Sequence, residues 1–135
     1  MSENKNLAVW RDKEEEMKKI LNLTQHAASA EQVSAGVVEP DDKAAVQVAL
    51  TFSSLPTREE IVARAKTLAE IATAAGAPAA MVGGAPYLMG PLEEALRVEG
   101  VTPLYAFSRR ESVEMTLPDG SVKKTMVFRH LGFIE

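Results

Sequence analysis

The sequence predicts an α/β fold, a Rossmann-like three-layer domain with a mostly parallel sheet and a C-terminal antiparallel β-hairpin. Three observations carry this. Short apolar segments alternate with helices that announce their own starts, as in Thr57-Arg-Glu-Glu60 and Ser29-Ala-Glu-Gln32. Such strand–helix–strand alternation implies parallel βαβ units with right-handed crossovers. The last thirty or so residues change character and centre on Pro118-Asp-Gly120, where Asp-Gly between alternating segments is a strong hairpin signal.

Taken in order, residues 1–19 are polar, with Glu14-Glu-Glu16 followed by Lys18-Lys19 and with Trp10 as the main apolar anchor. They read as an N-terminal extension, helical or frayed, ahead of a single α/β domain over 20–135. Ile20-Leu-Asn-Leu-Thr24 reads as a strand. Ser29 then caps a helix of about two turns, with Gln32 three residues on as a capping box requires and Gly36 as its stop. Residues 42–51 are open to two readings: Val46, Val48, Leu50 and Phe52 alternate like a strand, while Asp41-Asp42 could start a helix.

Thr57 begins the surest helix, with Ile61, Ala65, Leu68, Ala69 and Ala72 at helical spacing up to Gly76-Ala-Pro78. Ala79-Ala-Met-Val82 is a buried strand ending on Gly83-Gly84, and Tyr87–Glu99 is a helix stopped by Gly100. Thr102–Phe107 is another strand. Ser112–Leu117 and Ser121–Phe128 form the hairpin, with Val113, Met115 and Leu117 on one face.

Composition narrows the classes of function. The chain has 135 residues, 46% hydrophobic and 25% charged, which suits one globular core. The absence of cysteine excludes disulfides, thiolate metal sites and cysteine nucleophiles, and fits a reducing compartment. No apolar run approaches the roughly 20 residues that span a bilayer, and no signal-peptide core follows Met1, so no membrane partner and a cytoplasmic location are expected. A net charge of −4 argues against duplex DNA, which calls for a basic face, but leaves room for a small anionic ligand in a local positive pocket.

Ligands of open α/β sheets collect beyond the carboxyl ends of the strands. Three segments are expected to leave such ends as loops and converge: Thr24–Ser29, Gly83–Tyr87 and Ser108–Glu111. In the first, Asn22, Thr24, Gln25, His26 and Ser29 concentrate amide, hydroxyl and imidazole groups at a helix start, which suits a phosphate or carboxylate. His26 is the candidate catalytic residue, a general acid or base near neutral pH. The plain alternative makes Ser29 a cap, Asn22 a backbone partner and His26 a surface residue.

Gly83 and Gly84 would let backbone approach a ligand, or simply turn the chain; neither a dinucleotide fingerprint nor a P-loop is present. Tyr87 would stack on a base or enter the core. Arg109-Arg110, with Ser108 beside them, would supply bidentate anion contacts from the third segment. Arg129 and His130 should lie on opposite faces of the hairpin. With two histidines and no H-x-x-x-H or H-E-x-x-H spacing, neither a metal nor another cofactor is expected.

Ile20-Leu-Asn-Leu-Thr-Gln-His-Ala-Ala-Ser-Ala-Glu-Gln32, Gly83-Gly-Ala-Pro-Tyr-Leu-Met89, Pro103–Ser112 and Phe128-Arg-His-Leu-Gly-Phe133 resemble a family of small uncharacterised proteins from bacterial mobile elements and prophages. That family implies no established activity. Leu21-Asn-Leu-Thr24 followed by Ser29-Ala-Glu-Gln32 is also similar to the opening of some CRISPR-associated Rossmann-like proteins, several of which bind or cleave cyclic oligoadenylates. That likeness implies ligand contacts at Asn22, Thr24, Ser29 and Gln32. One extra residue separates strand from helix here, and no further motif is shared.

The leading expectation is therefore a homodimeric nucleotide- or cyclic-oligonucleotide-binding domain, with metal-independent phosphodiester cleavage as its enzymatic version. In that version a ribose 2′-OH attacks its own phosphate, Thr24, Gln25 and Arg109 steady the charge, and His26 carries the proton. The competing reading is a non-enzymatic interaction module of a mobile element, such as an inhibitor of a host-defence protein. A small-molecule hydrolase has only His26 in its favour.

Overall fold

A computed structural model of the protein describes residues 19–135, so the expectation for the N-terminal extension lies outside the described residues except for Lys19. The elements are β1 (Ile20–Leu23), α1 (Ala30–Ser34), β2 (Val37–Val38), α2 (Lys43–Leu50), α3 (Arg58–Ala74), β3 (Ala79–Val82), α4 (Pro86–Val98), β4 (Thr102–Thr116) and β5 (Val122–Ile134). They form one five-stranded sheet in the order β2-β1-β3-β4-β5. β1 pairs in parallel with β2 and β3, β3 in parallel with β4, and β4 antiparallel with β5. The fold is the predicted mixed α/β domain with a mostly parallel sheet and an antiparallel terminal pair.

The caps that the sequence announces form as read. The Ser29 hydroxyl accepts from Gln32 N–H while the Gln32 side chain accepts from Ser29 N–H, closing the capping box of α1. Thr57 caps α3 by accepting from Glu60 N–H at 3.1 Å. Gly76, at φ +67°, ends α3 in the left-handed conformation that glycine adopts without a Cβ clash.

Residues 42–51 are helical. Asp42 accepts from Ala45 N–H at 3.0 Å, and the buried positions Val46, Ala49 and Leu50 fall at i, i+3, i+4, with Val48 in solvent. The apparent alternation belonged to residues of which only some face the core, so burial selected the helical period.

The layers are unequal. One face of the sheet sends Leu21, Leu23, Ala80 and Val82 against Val46 and Leu50 of α2, Leu68 and Ala72 of α3, and Leu88, Leu92 and Leu96 of α4. The other gathers Ile20, Val37, Ala79 and Met81 with Ala28, Leu104 and Phe133, and α1, the short helix after the β1 turn, adds no buried residue to it. β1 and β3, buried on both faces, are accordingly almost continuous in apolar residues.

The C-terminal pair corrects two expectations. Ser108–Glu111 is not a loop at a strand end: it lies inside the 15-residue β4, whose register with β5 runs from Tyr105↔Ile134 to Thr116↔Val122 with one irregularity beside Phe107 and Ser108. The hairpin is correspondingly longer at its open end than the expected Ser112–Leu117 and Ser121–Phe128, and one residue shorter per strand at the turn. β3 supports β4 only at Thr102, Pro103 and Leu104, so the rest is a two-stranded ribbon reaching past the parallel sheet. Cross-strand pairing explains the difference, because Ser, Arg and Glu are accepted in a ribbon with solvated faces. At its tip Gly120 is at φ +84° and donates to Leu117 O at 2.9 Å, while Asp119 accepts from Ser121 N–H at 2.9 Å.

Candidate functional site

The strand order places the chain's reversal between β1 and β3: from β1 the chain moves outward to β2, then returns to β3 on the other side. Loops leaving the two strands diverge at such a switch point and open a crevice at their carboxyl ends. A cleft of about 740 Å³ lies there, within the size range of small-molecule sites. Thr24, Gln25, His26 and Ser29 line one side together with Gln32, Gly83 and Gly84 lie between, and Tyr105 and Phe128 contribute from the ribbon. The two loops are in contact here, since a Cβ on Gly83 would lie 3.5 Å from the Thr24 methyl.

Asn22 builds the first wall from beneath. It is fully buried, the one buried polar residue among those described, and all its bonds stay inside the protein. Its Nδ2 donates to His26 O at 2.8 Å and to Glu39 Oε1 at 2.7 Å, while its Oδ1 accepts from Thr24 N–H at 2.9 Å and from the Thr24 hydroxyl at 2.6 Å. Glu39 Oε2 accepts from Ala28 N–H at 3.1 Å. Lys43 Nζ donates to Thr24 O at 2.7 Å and His26 O at 3.1 Å, and pairs with Glu39 at 3.4 Å. The turn after β1 is thus wound around an amide and closed by groups from the β2–α2 connection. The network holds the Thr24 and His26 carbonyls and the Thr24 and Ala28 amides, while the Gln25 and His26 side chains are exposed at the cleft.

Burial pushes the Glu39 carboxyl up, but the Ala28 N–H, the Asn22 amide and Lys43 together outweigh it and hold it below the usual carboxylate range. A carboxylate with a depressed value stabilises the fold above its ordinary value of about 4.3, and that contribution is lost as the pH falls through the lowered one. Glu39→Gln is therefore expected to narrow the stability gap from the native protein as the pH drops from 6 toward 3, as followed by urea unfolding at each pH.

The ribbon wall is aromatic. Tyr105 donates its hydroxyl to Glu93 Oε2 at 3.1 Å, and Glu93 is also held by Arg97, so α4 fixes the ring; burial and Glu93 both push the phenol up. Phe128 is 66% exposed, with the Arg110 guanidinium 5.6 Å from its ring centre. Arg110 and Phe128 are cross-strand partners.

The structure brings Thr24, Gln25, His26, Ser29, Gly83 and Gly84 together and leaves the other nominated residues elsewhere. Asn22 is the pin under the loop. Tyr87 is half exposed and packs edge-on against Phe52 at 5.5 Å. Ser108 and Arg109 sit in mid-strand; Arg109 pairs with Glu111 at 2.8 Å, and Glu111 also meets Arg129. Arg129 and His130, adjacent in β5, contribute nothing to the cleft; His130 stacks on Phe133 at 4.6 Å, its Nδ1 buried without a hydrogen-bond partner among the described residues.

Sequence reasoning named Gln32 only through the family resemblance and Arg110 only beside Arg109, and it missed Met81, Tyr105, Ala106 and Phe128. The signal for Arg110 was alternation: once 108–111 is a strand, Arg109 and Arg110 must point to opposite faces, and only the register with Phe128 says which one borders the cleft. Among the described residues no group of three or more His, Asp or Glu could hold a metal ion. No helix among them is long and apolar enough to cross a membrane.

Residues 18–134 match the model of the family described as "Uncharacterized protein MJ1673 family". The chain belongs to that family. The match begins just before β1 and ends at the last residue of β5, so the switch-point cleft and the whole ribbon are parts of the family's domain. No curated protein and no solved structure matches the chain.

Proposed function

We propose that this MJ1673-family protein is a homodimeric binding domain for a nucleotide or cyclic oligonucleotide, held in the cleft between the β1 and β3 loops. The observation that carries the reading is the division of the cleft at a topological switch point. Hydrogen-bonding side chains (Gln25, His26, Ser29, Gln32) occupy one side and aromatic surface occupies the other. A nucleotide has the matching halves, a planar base that stacks and a sugar-phosphate that accepts and donates hydrogen bonds. Arg110, beside Phe128, supplies the cation nearest that aromatic wall. The similarity of the β1–α1 segment to CRISPR-associated Rossmann-like proteins supports the cyclic form of the ligand.

A thermal-shift panel of mononucleotides, cyclic oligoadenylates and inorganic phosphate tests this. Saturable stabilisation is expected with a base-bearing ligand, weakened about tenfold or more by Phe128→Ala, since a stacked base is worth ~1–3 kcal/mol. At a hundredfold excess over the dissociation constant, mass action gives about 2.7 kcal/mol of stabilisation. No shift with any nucleotide at millimolar concentration would sink the reading.

One observation favours cleavage as a second reading: the exposed His26 ring lies in the cleft and makes no hydrogen bond among the described residues. It could take the proton of a ribose 2′-OH as that oxygen bonds to phosphorus, while the 5′-oxygen leaves and is protonated. Turnover of a bound oligonucleotide, abolished in His26→Gln with binding kept, would establish it; binding without turnover rules it out.

A further inference from the structure

We infer that β5 is the dimer interface: two copies pair β5 to β5 in antiparallel fashion about Val127, joining their sheets and setting their Phe128 rings beside the two-fold axis. This deepens the homodimer proposed above and names its surface.

β5 is an edge strand of 13 residues whose outer side pairs with no strand among those described. A long open edge is a template for another strand, and proteins guard such edges with prolines, charges, bulges or short length. β5 carries no proline. Its guards lie toward the ends, Lys123 and Lys124 on one side and the irregular stretch around Leu131 and Gly132 on the other. Between them Thr125-Met-Val-Phe128 is uncharged and rich in strand-forming residues, with Met126 and Phe128 more than half exposed. The ribbon also has little support of its own, because a two-stranded hairpin is marginal in water and β3 backs β4 only to Leu104.

The segment is self-complementary in one register. With Val127 opposite the partner's Val127, Met126 faces the partner's Phe128, Thr125 faces the partner's Arg129 and Lys124 faces the partner's His130. Antiparallel partners at equal distance from the axis keep the same face, so the exposed Met126 and Phe128 meet their images in a sulfur–aromatic ladder. Moving the axis to Met126 sets Lys123 against the partner's Arg129, which opposes like charges. Moving it to Phe128 sets Thr125 against the partner's Leu131 and draws the irregularity near Gly132 closer to the axis. Because Phe128 also lines the cleft, the chosen register brings the two clefts to adjoining positions across the axis, as a two-fold ligand would require.

The chain's lack of cysteine makes the test clean. Sedimentation velocity of the native protein at micromolar concentration is expected to give a dimer. In Val127→Cys the two thiols would sit at a directly opposed antiparallel pair, about 4.5–5.5 Å between Cα atoms, within disulfide reach. A mild added oxidant, taking up two electrons and two protons, should therefore give a covalent dimer. Met115→Cys, more exposed than Val127 but on β4 near the ribbon tip, should not cross-link under the same conditions. Val127→Lys should sediment as a folded monomer, since its charge meets its own image at the axis while Glu111 opposite it keeps the hairpin paired. A native monomer up to about 100 μM overturns both the dimer and this interface. A dimer that survives Val127→Lys, or in which Val127→Cys fails to cross-link, overturns the interface alone.

Discussion

Asn22→Ala is expected to lower the free energy of unfolding by about 3 kcal/mol and to loosen the turn after β1. The substitution removes an amide that is fully buried and bonded at both ends, to Thr24 above and to Glu39 and His26 O on its flank. A net hydrogen bond is worth about 1 kcal/mol, but each buried group left without a partner costs ~1–3 kcal/mol. Here Thr24 N–H, His26 O and the Glu39 carboxylate all lose one. Lys43 still reaches Thr24 O, His26 O and Glu39, which limits the loss to the amide's own share.

The expected pattern in urea titration is a lower midpoint with an unchanged slope, because the surface exposed on unfolding is the same. Asn22→Asp should be at least as damaging, since it sets a second carboxylate against Glu39. Hydrogen exchange should then speed at Thr24 and Ala28, the two backbone donors that the network holds. Retained midpoint and retained protection would show that the turn does not hang on this amide.

Leu68→Ala in α3 is the second large effect, also about 3 kcal/mol. Leu68 is completely buried in the cluster that joins the inner face of the sheet to α2, α3 and α4. Its buried neighbours in α3, Ala65, Ala69 and Ala72, are small and fill little of the vacated volume. Leucine truncations in such sites cost ~2–5 kcal/mol, rising with the cavity left behind. The cut lies on the far side of the sheet from Met81, so it should lower the melting temperature without changing ligand affinity at a temperature where the protein remains folded. A coupled loss of stability and affinity would mean that the helix layer also shapes the cleft. Val48→Ala, on the exposed side of α2, provides the contrast and should be nearly neutral.

Much of the architecture was legible because it is local. Ser29 with Gln32, Thr57 with Glu60, Gly76 and Asp119-Gly120 each specify a backbone event within three or four residues, and each occurs where it was read. The periodicity of α3 and the apolar run Ala79–Val82 likewise report burial directly. Residues 42–51 were ambiguous for the same reason: ten residues carry too few periods to separate two from 3.6, and contact with α3 and the sheet decided.

The candidate site divides along the same line. The sequence by itself located the β1 loop and the Gly83-Gly84 turn, because polar residues clustered after an apolar strand, and glycines closing one, mark strand ends. It also fixed what is missing: with no cysteine in the chain, thiol chemistry of any kind is excluded. Only the tertiary structure decided that Asn22 points inward to Glu39, seventeen residues away, and that Phe128 lines the cleft with Arg110, rather than Arg109, beside it. These depend on strand register and on which face of a twisted ribbon turns toward the sheet. Pairing between distant strands sets both, and no local run of residues encodes them.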